Sequence, residues 1–305
     1  MYHLSRALLI FLLSVSGISY AQEFGKPNPL QVHSDPFMGD WRGTWDGREI
    51  CAQVNSLGKG KYSVNILAEF DTRNAPIVVL NGGRAEDVVG VNGEASGTRW
   101  SAMIHNGHFT GSTTGAQEGS FSLELVERLS PSLGAEPPAD AIVLFDGTNL
   151  DSWMQTNAER SPSTWTLLET GAMEVSGGGV VSKRGFKNHK VHLEFRTPYM
   201  PDARGQGRGN SGIYLQWRYE VQILDSYSLK GEWNECGGIY QVSVPRVHMA
   251  APPLQWQTYD IDFYAPRFDA KGNKTKDALI TVHHNGVMIH ENVSIPEPTT
   301  AHIGG

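Results

Sequence analysis

Two carboxylates and three amides crowd one short stretch, GRGNSGIYLQWRYEVQILDSY at residues 207–227. Asn210, Gln216, Glu220, Gln222 and Asp225 share it with Ile213, Leu215, Val221 and Ile223. The apolar set has strand spacing, so Glu220 and Gln222 lie on the face opposite Tyr219, Val221 and Ile223. A carboxylate on a partly desolvated sheet face has its pKa raised and can remove a proton, and amides hold hydroxyls by hydrogen bonds. The same residues also fit plain structural roles. Glu220 is by default solvated, Asn210-Ser211-Gly212 can close a turn, and Asp225-Ser226 can cap a loop.

The neighbouring strands repeat the pattern. In KVHLEFR, Val191, Leu193 and Phe195 form the apolar set, while His192, Glu194 and Arg196 point the other way. Further β-prone runs follow the same stretch of chain: AIVLFDG, WTLLETGAMEVSGGGVVSK, GGIYQVSV, WQTYDIDFYAP and ALITVHHNGVMIHENV. Asn285-Gly286 in the last run predicts a hairpin, because both residues tolerate positive φ. His283 and His284 are adjacent on one strand, face opposite ways and cannot both bind one metal there. Strands of this kind build a sheet with one side on a core and one polar side, and in a two-sheet sandwich the polar side can bind a polar ligand.

The composition narrows the class. The chain has 34 Gly, 16 Pro and 8 Trp, with little helical periodicity, which points to an all-β protein. A net charge of −7 without a basic run argues against nucleic acid and against an anionic membrane surface. The two cysteines, Cys51 and Cys236, are too few for a disulfide framework and are expected as buried free thiols; no CxxC or Cys/His zinc pattern occurs.

Five segments are expected. Residues 1–21 have a short basic start, the apolar run ALLIFLLSV and small residues at Ser19 and Ala21, as in a cleaved signal peptide. The mature protein is then exported, periplasmic or extracellular, and free of the membrane. Residues 22–34 read as a flexible lead-in, 35–129 as a small antiparallel barrel or sandwich of unknown role, and 130–140, rich in Pro and Ser, as a linker. His105 and His108 flank an Asn-Gly turn in the small domain and read as surface residues. Residues 141–305 form the larger β domain.

The ordered set LFDGTNLDSW, HLEFR, GNSGIYL, YEVQILDS, GGIY and QWQTYDIDFYAPRFDAKGNKTKDALITVHHNGV resembles the 3-keto-disaccharide hydrolase domain family over nearly all of residues 141–305. The resemblance implies a concanavalin A-like jelly-roll sandwich after the small β domain. It also implies cleavage of 3-keto-glycosides by 3-keto-glucoside 1,2-lyase and 3-keto-2-hydroxy-glucal hydratase chemistry. Two departures stand out. The chain ends at TTAHIGG where members continue into a final strand, so the domain is expected to lack that strand unless another segment supplies it. Trp256-Gln257 stands where members often have Trp-Asn.

The implied chemistry assigns roles. A ketone at C3 acidifies the hydrogen on C2, a base removes it, the C1 substituent leaves, and water adds back. Glu220 is the candidate base and Asp225 a second acid/base or a metal ligand. Asn210, Gln222 and Arg196 are candidates to hold sugar hydroxyls or the enolate oxygen, with Glu194, His192, Tyr240 and Trp256 as further substrate contacts. No cofactor is assigned, although a divalent metal is compatible with Asp225, and the partner is a sugar, a 3-keto-disaccharide or 3-keto-glycoside. Two other readings stay open. Glu220-x-Gln222-x-x-Asp225 is similar to the acid pair of retaining jelly-roll glucanases, which need carboxylates roughly 5–5.5 Å apart. A non-catalytic carbohydrate-binding module is the other.

Overall fold

The computed structural model describes residues 5–8 and 35–299, and nearly every regular element in them is a strand. The leader and lead-in expected over residues 1–34 lie outside the described residues, apart from Ser5–Leu8 (β1).

Residues 39–126 close into an eight-stranded antiparallel barrel. Its strands are Gly39–Trp45 (β2), Arg48–Ser56 (β3), Lys61–Leu67 (β4), Val78–Ala85 (β5), Val88–Ala95 (β6), Thr98–His105 (β7), His108–Gly115 (β8) and Gly119–Val126 (β9), and β9 returns to pair with β2. Strict alternation in β7 sends Thr98, Trp100, Ala102 and Ile104 inward. Trp41, Phe109, Phe121 and Leu123 join them, with Trp41 and Phe109 edge to face at 5.8 Å. Large rings fill a barrel of this strand number, so its interior is core rather than a ligand cavity. His105 and His108 are exposed beside the Asn106-Gly107 turn.

The remaining strands are Ile142–Val143 (β10), Trp153–Gln155 (β11), Thr166–Leu167 (β12), Met173–Glu174 (β13), Val180–Ser182 (β14), His189–Phe195 (β15), Ser211–Leu215 (β16), Tyr219–Ile223 (β17), Gln257–Tyr264 (β18), Arg267–Phe268 (β19), Lys274–Lys276 (β20), Ala278–His284 (β21) and Val287–Ile295 (β22). A six-stranded sheet runs β10-β1-β15-β18-β21-β22. Ser5–Leu8 thus stands between β10 and β15, parallel to both. The β21–β22 hairpin turns at Asn285-Gly286, both in the left-handed region.

The β16–β17 hairpin forms the opposing layer. Ile213, Leu215, Tyr219, Val221 and Ile223 bury their side chains against Leu193, Phe195, Tyr259, Phe263 and Val282 of the six-stranded sheet in one core. The run GGIYQVSV is not a strand, contrary to its β-prone composition. Ile239 makes only isolated bridges, Gln241 takes a left-handed φ of 58°, and two turn bonds close onto the Ile239 carbonyl. Cys51 and Cys236 are buried free thiols, one in each unit.

The linker is docked. Ser130 Oγ lies 2.6 Å from Thr258 Oγ1, Ser132 Oγ donates to Asp260 Oδ2 at 2.7 Å, and the Gly134 amide donates to Glu194 Oε1 at 2.5 Å. Pro131 caps the far hairpin turn, where a side chain at Gly286 would meet its ring. His192 sits in the middle, 2.6 Å from Asp260 Oδ1 and 3.4 Å from Glu194 Oε1. Burial alone lowers the imidazole, but the two carboxylates outweigh it and lift His192 to about 9.

A raised imidazole stabilises the fold fully below its unfolded value of 6.5 and progressively less as pH rises through about 9. The melting temperature is therefore expected to fall across that window. His192→Asn should lower it at pH 6 and flatten the decline. Parallel melting curves for the two proteins from pH 6 to 10 would show that this cluster does not lock the linker.

Candidate functional site

The polar face of the β16–β17 hairpin is built by register. Tyr214 pairs with Glu220 and Gly212 with Gln222, so the side chains of Tyr214, Glu220 and Gln222 project from one side, over the bare Gly212 position, while the apolar set enters the core. The connection between the strands holds Gln216 and Trp217 with φ of 51° and 64°. Bulky residues rarely adopt that conformation. Trp217 is steadied by the Arg160 guanidinium, 4.1 Å from its ring centroid.

Glu220 is the chemical centre. Its side chain is 5% exposed, the Tyr214 hydroxyl bonds its carboxyl, and Oε2 has no hydrogen-bond partner among the described residues. Burial raises the carboxyl above its usual value, and Tyr214 offsets only part of that rise. Gly212 makes the room. A Cβ there would stand 2.4 Å from Glu220 Oε1. In the amide orientation that satisfies both of its ends, Gln222 donates to Glu220 Oε1 at 3.2 Å and to the Ser211 carbonyl at 2.6 Å. The Gln206 amide lies 2.9 Å from the same Gln222 amide and 3.0 Å from Asn210 Nδ2. Burial also raises Tyr214, helped by Glu220, so the phenol stays a neutral donor at any physiological pH.

Glu220, Tyr214, Asn210 and Trp217 line a cavity of about 800 Å³ that runs along β16. Its other walls include Trp153, Trp165, Phe186 and the glycines 177–179. Arg184 and Arg218 are its guanidinium groups, and Glu220 is the single carboxylate of the lining among the described residues. The indole Nε1 of Trp217 is buried without a partner among the described residues. Both residues belong to the cavity lining, and a buried acceptor and a buried donor without partners are costly.

The other sequence candidates lie in several places. Asn210 and Gln222 join the Glu220 network. Tyr240 adjoins it, its amide donating to the Glu220 carbonyl at 3.2 Å and its ring edge-on to Trp233 at 5.1 Å. Asp225 is elsewhere. It is 3% exposed, ion-paired with Arg208 at 2.7 Å, and outside the cavity lining. Burial raises its carboxyl while Arg208 opposes the rise. His192 and Glu194 hold the linker on the outer face of the large sheet. Arg196 lies over the Trp256 ring at 4.8 Å, and burial lowers it to about 10 although Glu174 pulls it back. The Gln257 amide works internally, its oxygen accepting from Ala251 N and meeting His284 Nε2 at 3.0 Å. Among the described residues no group of three His, Cys, Asp or Glu is placed to hold a metal ion.

Tyr214, Gly212 and Trp217 escaped the sequence reading although they stand inside the quoted stretch. Alternation marks Tyr214 as belonging to the polar face, but pairing it with Glu220 requires the register of a hairpin whose Gln-Trp-Arg turn carries no turn signal.

Comparison with known proteins bears on residues beyond the barrel. A family model described as a 3-keto-alpha-glucoside-1,2-lyase-like domain matches residues 140–304. A curated relative from Bacteroides thetaiotaomicron, named 3-keto-disaccharide hydrolase, is 26% identical over 185 residues, which are 54% of this chain and 56% of that protein. The chain thus spans little more than half the length of the relative it matches. A crystal structure of a Parabacteroides distasonis protein is 34% identical with a TM-score of 0.49, covering 54% of this chain and 70% of that one.

A buried carboxylate with one bare oxygen costs stability at neutral pH, so Glu220→Gln is expected to raise the melting temperature at pH 7. The sign follows from the raised folded value. The wild-type penalty is absent below the unfolded carboxyl value of 4.5 and grows as pH rises past it. The gap between the two proteins should therefore close toward pH 4. A Glu220→Gln protein that melts lower than wild type at pH 7 would show the carboxylate to be well solvated.

Proposed function

Because the chain belongs to the 3-keto-alpha-glucoside-1,2-lyase-like domain family through residues 140–304, we propose that it is a carbohydrate-active enzyme that cleaves 3-keto-glycosides at C1. The two packed layers of its larger unit are read as a concanavalin A-like jelly roll. Export to the periplasm or beyond belongs to the same proposal and rests on the leader-like residues 1–21.

One observation supports the reaction most directly. Among the described residues the cavity lining has a single carboxylate, it is desolvated, and its Oε2 has no hydrogen-bond partner. The 3-keto group makes the C2 proton acidic, so Glu220 Oε2 takes it and the electron pair passes to the C3 oxygen as an enolate. Hydrogen-bond donors stabilise that oxyanion, and Trp217, whose Nε1 has no partner among the described residues, belongs to the same lining, whereas the Tyr214 hydroxyl is committed to Glu220. Collapse of the enolate expels the C1 oxygen as an alcohol and leaves a 2-hydroxy-3-keto-glucal. Addition of water completes a net hydrolysis: its proton makes the leaving C1 oxygen an alcohol, its hydroxyl bonds C1, and the protonated Glu220 returns the original proton to C2.

A retaining glucanase needs a second carboxylate across the scissile bond. Asp225 is the sequence candidate for it, and its ion pair with Arg208 outside the lining disfavours that role. The 3-keto reading is therefore preferred over paired-acid hydrolysis of unoxidised sugars.

Purified protein is expected to cleave a 3-keto-disaccharide and leave the parent disaccharide intact. Glu220→Gln should keep binding but lose about 10²–10⁴-fold in turnover, the range of general-base catalysis. It should also lose exchange of the C2 proton with deuterated water. Full turnover and exchange in the folded variant would place the base elsewhere. Cleavage of the unoxidised sugar would favour the glucanase reading.

A further inference from the structure

The barrel grips the larger unit at the loops that frame Glu220. Before β16, Tyr199 donates its hydroxyl to Asp35 Oδ2 at 3.1 Å, and Arg204 donates to the Leu57 carbonyl at 2.7 Å. After β17, the buried Tyr227 hydroxyl donates to Asp40 Oδ1 at 2.7 Å, and Asn65 donates to the Ser228 carbonyl at 2.8 Å. Arg73 then donates to the carbonyls of Gly231 and Pro245 at 2.8 and 3.0 Å, closing the ends of the loop that carries Asn234 and Tyr240.

Asn55 on β3 touches both sides at once. Its Oδ1 accepts from Arg208 at 3.2 Å, and its Nδ2 donates to Ser228 Oγ at 3.0 Å and to the Tyr227 carbonyl at 3.4 Å. Arg208 is the residue paired with Asp225, and the Asp225 amide donates back to the Arg208 carbonyl at 3.1 Å. Ser228 is held at a φ of 63°, a conformation that needs outside support in a residue other than glycine. The hairpin that bears Glu220 is a two-stranded sheet whose β17 edge is bonded only by the loop residues 237–240, with Gly237 N donating to the Gln222 carbonyl at 3.0 Å and Gln222 N to the Gly238 carbonyl at 2.9 Å. Gln206 and Asn210 lie two residues either side of Arg208 in the chain, and both belong to the Glu220 network.

We propose that the eight-stranded barrel is a positioning element of the Glu220 site, acting through Asn55 on the Arg208–Asp225 pair. It is then part of the catalytic apparatus rather than an appended binding module. Asn55 touches no cavity residue. It fixes the loop whose amides orient the base. The inference rests on Glu220 being that base, and a misplacement of about 1 Å in such a group costs on the order of 10²-fold in rate.

The test uses the full chain with Asn55→Asp, which keeps the size of the side chain, removes both donors toward Ser228 and Tyr227, and sets a carboxylate beside Arg208 in competition with Asp225. Arg99→Ala, on a largely exposed side chain of the barrel, is the control. Far below its melting temperature, Asn55→Asp should lose ~10–100-fold in kcat on a 3-keto-disaccharide while KM stays within about threefold. Amide hydrogen exchange should accelerate at residues 206–210 and 237–240 in Asn55→Asp and not in the control. Where Asn55→Asp fails to fold, Asn65→Ala removes a single bond and should show the same pattern in smaller measure. A folded variant with wild-type kcat, or with unchanged exchange in those loops, would overturn the proposal. A wild-type protein inert on keto sugars would remove the reaction but leave the exchange comparison to decide whether the barrel orders the loops.

Discussion

Glu220 stays above the usual carboxylate range only while water is held away from Oε2, and most of the local structure follows from that need. The hairpin must present a polar side chain on a face that is closed over rather than solvated. Its other face must be apolar enough to anchor a two-stranded sheet. The absent side chain at Gly212 lets the carboxyl lie flat against β16, where a methyl group would collide with Oε1. Tyr214 and Gln222 then bond the carboxyl and leave Oε2 buried without a partner among the described residues. Such an arrangement stores a desolvation cost that substrate can relieve, which is the usual exchange of stability for reactivity at a site.

A hairpin of this kind has little rigidity of its own. The six-stranded sheet supports it from below through the shared core, and the barrel supports its flanking loops from the side. The two supports differ in kind. Core packing is non-directional and fixes distance, whereas the bonds from Asn55, Asn65 and Arg73 to backbone carbonyls and side chains fix orientation. A barrel filled with tryptophan and phenylalanine rings serves that purpose well, because it does not deform.

Sequence periodicity revealed what repeats and missed what meets. Alternation placed Ile213, Val221 and Ile223 in the core and Glu220 and Gln222 on the opposite face, and Asn285-Gly286 identified its hairpin, since these follow from local geometry alone. The same alternation set His192, Glu194 and Arg196 on a polar face too, and nothing in it distinguishes a face covered by a linker from one that opens on a cavity. His192 and Glu194 are recognisable as linker anchors only once Ser132 and Gly134 lie over them. Asp225 likewise carries no mark of Arg208, a residue 17 positions earlier on a loop whose path depends on the barrel. The run GGIYQVSV failed as a strand because its turn bonds and the left-handed Gln241 outweigh its β-branched residues.

The layer beneath the site limits its working range from both sides. Tyr259 donates to the Gln222 carbonyl at 2.7 Å and stacks edge-on to His284, which is fully buried with Nδ1 unpartnered. Burial holds His284 well below the usual imidazole value, reinforced by His248 and Arg128, and burial likewise lowers His248. Neutral imidazoles of this kind stabilise the fold above their unfolded value of 6.5, and that contribution is lost as pH falls below it, because the unfolded chain takes up protons that the core refuses. On the alkaline side, His192 loses its proton at about 9, and with it the charge facing Asp260 and Glu194, the two carboxylates that accept from the linker. Glu220 must be ionised to accept a proton, which requires a pH above its raised value, so turnover is expected to fall on the acid side of that value. The desolvation that creates the base acts on β17, and the burial that keeps His284 neutral acts on β21 of the six-stranded sheet, with Tyr259 bonded to the Gln222 carbonyl and packed on His284 between them.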